Sequence, residues 1–161
     1  FGLSREHTLK SLLEAIVFTV PVLGVLTGIK WLILYFSGNP RGMSLVAYPD
    51  VVARLQERQV LMLLGIYAIT CAVQELIVRS ALQSSLQMFL TGKRAVTASI
   101  FVSALLFSMT HLHMSFLFAA LAFVPGLFWG WLFARRPSIV GVTLSHIAVG
   151  GYVFFIMGVG I

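Results

Sequence analysis

Apolar runs of about 20 residues, separated by short polar turns, dominate this chain and constrain it more than any other feature. A helix rising 1.5 Å per residue needs about 20 such residues to cross the roughly 30 Å hydrocarbon core of a bilayer. No water is present there to satisfy an open backbone group, so only helices or a closed barrel can span it. Barrel strands would show alternation over about ten residues at a time, and the chain has none. Composition agrees: 59% of the 161 residues are hydrophobic and 10% are charged, with a mean hydropathy of +0.99. That leaves too little polar surface to clothe a water-soluble globule. The expected fold class is all-α: a polytopic membrane helix bundle of about five transmembrane helices, with the lipid bilayer as its first partner. Residues 1–161 are read as a single integral membrane domain.

Helices are expected at about 11–36, 59–90, 95–111, 115–134 and 138–161. Pro21 is expected to kink the first. Lys30, near its far end, is expected to snorkel to the interface beside Trp31 and Tyr35. Gly38-Asn39-Pro40-Arg41-Gly42 reads as a turn, and Pro49-Asp50 as the start of an interfacial amphipathic helix ending near Arg58. Five spans place the lead-in with Arg5 and Lys10, the Lys93-Arg94 turn and the Arg135-Arg136-Pro137 turn on one side. The positive-inside rule makes that side, and the N-terminus, cytoplasmic. The formal charge of +6 is therefore a topology signal, and with the basic residues scattered at helix ends no nucleic-acid partner is expected. Cys71 has no intrachain partner, so no disulfide framework exists. The first apolar run is too long, and lacks a small-residue cleavage site, to read as a cleavable signal peptide. Because the chain opens on Phe1, upstream residues are left open.

Ionisable groups inside membrane helices are costly and usually face a bundle interior. Glu75, His111 and His146 lie on three separate helices and are the first functional candidates. Counting about 1.5 Å per residue from the helix ends, Glu75 and His111 reach similar depths, while His146 comes out shallower unless helices tilt or the last turn sits deep. Structural readings stand beside this one. Glu75 and Arg79, four apart, could simply pair; His111 could be a polar cap at a helix end; His146 could be a hydrogen-bonded packing residue. A divalent metal on His111, His146 and Glu75 is conceivable, but no HExxH-like local pair exists, so no metal or other cofactor is assigned.

These residues carry a resemblance. Gln74-Glu75-Leu-Ile-Val-Arg79, then Phe107-Ser-Met-Thr-His111, then the Gly126-to-Gly130 helix with Arg135-Arg136, and finally His146-Ile-Ala-Val-Gly150 resemble, over about residues 59–155, the CPBP family. That family comprises CAAX prenyl endopeptidases and bacteriocin-processing or immunity membrane proteins, with motifs EExxxR, FxxxH and HxxxN in this order. The resemblance implies peptide hydrolysis in a membrane cavity, on a membrane-associated peptide substrate, and a bacterial cytoplasmic membrane as location. It also implies that the first glutamate and the FxxxH histidine activate water, while the later histidine and asparagine stabilise the oxyanion. Arg79, Phe107, His111 and His146 match the motifs. Two positions depart from them. Gln74 stands where the first glutamate should, and losing a general base typically removes about 10²–10⁴ in rate. Gly150 stands where the asparagine should, and a missing oxyanion donor typically costs about 10²–10³. Glu75 is an imperfect substitute for the lost base, since adjacent helical positions point about 100° apart. Gln74 is either an introduced trap or a natural loss, and Gly150 favours the second. The expectation is an endopeptidase-like membrane protein with weakened or lost catalysis; the alternative is a non-catalytic structural or assembly subunit of a larger membrane protein complex. A proton or ion carrier is the weaker third class.

Overall fold

The computed structural model describes residues 8–38, 44–46 and 57–158. Five helices carry the described chain: α1 (Thr8–Phe36), α2 (Arg58–Phe89), α3 (Ala95–Met109), α4 (Phe116–Arg135) and α5 (Ile139–Ile156). They fall close to the five spans expected. Four of them are long and apolar enough to cross a bilayer, and the chain is an integral membrane protein. The fifth, α3, has 15 residues and so rises only about 22 Å. The interfacial helix expected at 49–58 lies almost entirely outside the described residues, as do the lead-in up to residue 7 and most of the 38–42 turn.

Polarity is distributed inside out. Leu13, Val17, Val20 and Ile33 on α1, Leu61 and Ile69 on α2, and Leu117, Leu121 and Val124 on α4 are all exposed. The buried set includes Thr19, Glu75, Arg79, Gln83, Ser99, Ser103, Ser145 and His146. Such an arrangement suits hydrocarbon as solvent, because a polar group facing lipid has no partner there.

Close packing on small residues brings the helices together. A side chain at Gly126 would press on Phe107 and Ala104 of α3, and one at Gly130 would come 3.0 Å from Arg79 Nη1 and from Ile100. Gly141 on α5 lets the Ser11 turn of α1 approach until a Cβ there would overlap it. Turn chemistry closes the connections. Gly92 takes a φ of 93° between α2 and α3, a conformation that suits glycine. Ser115 caps α4 by accepting from the Phe118 N–H at 3.0 Å.

Charged side chains fix the ends. Glu14 of α1 pairs with Arg136 at 2.6 Å and Arg135 at 3.5 Å, which puts the start of α1 and the α4–α5 turn at one end of the bundle. Lys30 behaves differently from expectation. Instead of snorkelling outward it is 9% exposed and donates to the carbonyls of Met157 at 2.6 Å and Leu45 at 2.9 Å. The open carbonyl of Met157, just past the last turn of α5, gives the ammonium an acceptor inside the bundle.

α2 departs from regular α geometry where the polar residues begin. Residues Leu76–Gln83 form a π-helical segment, a rare widening that tends to mark functional positions. Both the N–H and the hydroxyl of Ser84 reach the Arg79 carbonyl. Tyr67, Cys71, Glu75, Arg79, Gln83 and Gln87 recur every fourth residue. Four residues overshoot an α turn by about 40° and undershoot a π turn, so the widened segment keeps this series facing the bundle.

Candidate functional site

Glu75 is the centre of the polar interior. It is wholly buried, and each carboxylate oxygen has its own partner. Oε2 accepts from Arg79 Nε at 3.0 Å, and Oε1 accepts from His146 Nδ1 at 2.8 Å. The i,i+4 pair with Arg79 foreseen from spacing is thus real, but it is half of a larger set. Arg79, also wholly buried, donates further to Gln83 Oε1 at 3.1 Å, Ser103 Oγ at 3.1 Å and the Gly126 carbonyl at 3.0 Å. Gln83 continues the chain by donating to the Gly130 carbonyl at 2.8 Å. The Gly126-to-Gly130 spacing therefore has a polar purpose. Glycine at 130 leaves room for Arg79 and Gln83 beside α4, while glycine at 126 lets α3 approach, and the two α4 carbonyls are reached from α2.

His146 is held from three directions. A carboxylate accepts only, so Nδ1 carries the proton shared with Glu75 and Nε2 points away from it. The ring stacks on Trp129 with centroids 3.9 Å apart. Trp129 is itself fixed by donating from Nε1 to Ser145 Oγ at 3.2 Å, and Ser145 bonds Thr19 of α1 at 2.7 Å. Phe107 presents its edge to His146 at 5.5 Å.

His111 stands across Phe107 from His146, in the turn after α3. Its ring lies 4.8 Å from that of Phe107 and 5.7 Å from that of Phe118. Nδ1 meets the Phe107 carbonyl at 3.0 Å, and because a carbonyl only accepts, Nε2 is again the nitrogen left with a lone pair. The capping role foreseen for His111 is present in that bond and compatible with a chemical one. Burial pushes the His111 imidazole below its usual pKa, opposed by the bond to Phe107 and aided by the nearby His146 and His113.

Glu75, Arg79, Phe107 and His146 thus converge directly, and His111 joins them through Phe107. The direct bond between His146 and Glu75 puts the two at one level, although residue counting makes His146 shallower. Gln74 is half-buried and takes no part in the Glu75–Arg79–His146 set. At Gly150 the space of a side chain is taken, since a Cβ there would meet the Tyr67 hydroxyl. Gln83, Ser103, Trp129 and Tyr67 were not singled out from sequence; the four-residue repeat along α2 was the available signal for two of them. As a metal centre the cluster fits poorly. Both Glu75 oxygens and His146 Nδ1 already bond one another or Arg79, and among the described residues no three His, Cys, Asp or Glu side chains stand together as a ligand set.

Comparison with known proteins adds one match and two negatives. No curated protein and no solved structure matches the chain. The profile of the Rce1-like family, described as type II CAAX prenyl endopeptidase Rce1-like, matches residues 56–151. That stretch holds every residue of the cluster described above and more than half of the chain, and the chain therefore belongs to the Rce1-like family of type II CAAX prenyl endopeptidases.

Proposed function

We propose that this chain hydrolyses a peptide bond of a membrane-associated substrate, with His111 left to activate water alone where the family motif pairs that histidine with a glutamate. The observation that supports it most is the matched pair of imidazoles. Each has Nδ1 committed to an acceptor, Phe107 O for His111 and Glu75 Oε1 for His146, leaving both Nε2 atoms for chemistry. His111 Nε2 takes a proton from water as the oxygen adds to the scissile carbonyl, then returns it to the leaving amine. His146, kept in place by Trp129 and supported by the Glu75 carboxylate when it carries a second proton, faces the oxyanion. Glu75 is an orienting group here, because both of its oxygens are already bonded. Gln74 cannot accept a proton, so the rate is low for the family.

The test uses purified protein in proteoliposomes with a prenylated, membrane-tethered peptide ending in a CAAX sequence. Gln74→Glu should raise hydrolysis by about 10²–10⁴, and His111→Ala should abolish it in that background. A Gln74→Glu protein inert toward every tethered peptide would sink the proposal. A second reading, a non-catalytic subunit of a membrane complex, is favoured by the bonded state of Glu75 beside an amide at position 74. It predicts a stable partner copurifying in mild detergent, and isolation as a free monomer would count against it. We further assign the Glu14–Arg135–Arg136 end of the bundle to the cytoplasmic face of a bacterial membrane, on the positive-inside rule; reporter fusions after residue 136 that are active only outside the cell would overturn that orientation.

A further inference from the structure

Tyr67 lies two turns before Glu75 on α2, and position 150 lies one turn after His146 on α5. These two levels coincide. A Cβ built on Gly150 would run into the Tyr67 hydroxyl and come 2.8 Å from Tyr67 Cζ. The phenol thus fills the volume that a side chain at 150 would use, on the same face of α5 as His146. Its ring meets His146 edge-on at 6.4 Å and is walled by Phe154 at 6.0 Å and Phe155 at 6.3 Å. The neighbour of the hydroxyl along its own helix is the Cys71 thiol, a weak acceptor, so the phenolic proton is open to a stronger one.

Any amide hydrolysis at this site puts a negative charge on the carbonyl oxygen, and a fixed donor about 3 Å away is worth about 10²–10³ in rate. Glycine at 150 supplies no side-chain donor. We propose that Tyr67 is a further catalytic residue, its hydroxyl donating to the oxyanion from the side-chain space of position 150. The inference rests on the peptidase reading above. A phenol suits the task because it is a rigid donor with only two side-chain torsions, held by an aromatic wall. Gly150 is then the complement of Tyr67, small so that the phenol can enter.

The test is made on the Gln74→Glu protein, whose rate is measured first. Tyr67→Phe should lower kcat about 10²-fold, leave KM within about twofold, and leave the melting temperature unchanged, since the ring and its packing remain. Tyr67→Ala combined with Gly150→Asn, which moves a donor onto α5, should recover about tenfold or more over Tyr67→Ala alone. Unchanged kcat in Tyr67→Phe overturns the inference and leaves the peptidase reading standing. An inert Gln74→Glu parent ends the peptidase reading and the donor role together. Placement is tested without activity: Gly150→Ala should lower the melting temperature, and Tyr67→Ala should relieve that loss. If Gly150→Ala melts like the parent, the phenol does not occupy this space and the inference falls.

Discussion

Replacing Arg79 with methionine keeps an unbranched apolar stem and removes the guanidinium with its charge and donors. The variant loses four hydrogen bonds, to Glu75, Gln83, Ser103 and the Gly126 carbonyl. At about 0.6 kcal/mol each, typical of membrane proteins, these amount to about 2 kcal/mol. The larger effect is the Glu75 carboxylate, left buried with its cation gone. Breaking a buried pair from one side typically costs about 3–5 kcal/mol, and we expect Arg79→Met to fall in that range. Adding Glu75→Gln removes the orphaned charge while keeping an acceptor for His146, so the double variant should regain at least about 1 kcal/mol over the single one. Equilibrium unfolding in mixed SDS and mild-detergent micelles, followed by far-ultraviolet circular dichroism, measures both. An Arg79→Met cost below about 1 kcal/mol, or a double variant less stable than the single, would refute the view that this pair is sealed from solvent and lipid.

Two further expectations concern the histidine and the glycines. With its pKa held down by burial, His111 is neutral at pH 7, and acid protonates it. The acid limb of kcat/KM in the Gln74→Glu protein should therefore fall below the ordinary histidine value of about 6.5, and a limb above 7 would contradict the geometry. Gly130→Val should cost about 1–3 kcal/mol by the same unfolding measurement, because its Cβ would press on Arg79 Nη1 and Ile100. Gly65→Ala, which faces open space, is the control and should be neutral or slightly stabilising.

Much of the architecture was written in hydropathy alone. Charges fall at helix ends, so the turns at Lys93-Arg94 and Arg135-Arg136 marked the α2–α3 and α4–α5 junctions. The shortness of α3 was harder to see, because Thr110 to Met114 remain fairly apolar while forming turns. Glu75, His111 and His146 were legible because ionisable residues are rare between lipid-facing ones, and Arg79 and Phe107 through the motifs they complete. Their bonding was not. Which neighbour a buried carboxylate chooses depends on helix phase, and the π segment changes that phase by an amount hydropathy does not encode. Lys30 shows the same limit: its sequence position suggested an interfacial amine, but the open carbonyl of Met157, 127 residues away, decided its direction. The role of Tyr67 was hidden for a related reason. Its relation to Gly150 exists only once α2 and α5 are side by side.

The widened stretch of α2 has a consequence best put in terms of a screw thread. On a uniform α-helical shaft, the five steps from Tyr67 to Gln87 would wind through about 200°, so the polar line would begin at the bundle and end in lipid. With more residues per turn between Leu76 and Gln83, the two steps there add almost no winding, and the whole line drifts by about 120° instead. Removing a single residue there would restore the ordinary pitch and rotate one half of the shaft against the other by about 100°. Either the half with Glu75 or the half with Gln83 would then face hydrocarbon, where each unsatisfied polar group costs several kcal/mol. Length between these two residues is thus as tightly constrained as their identity.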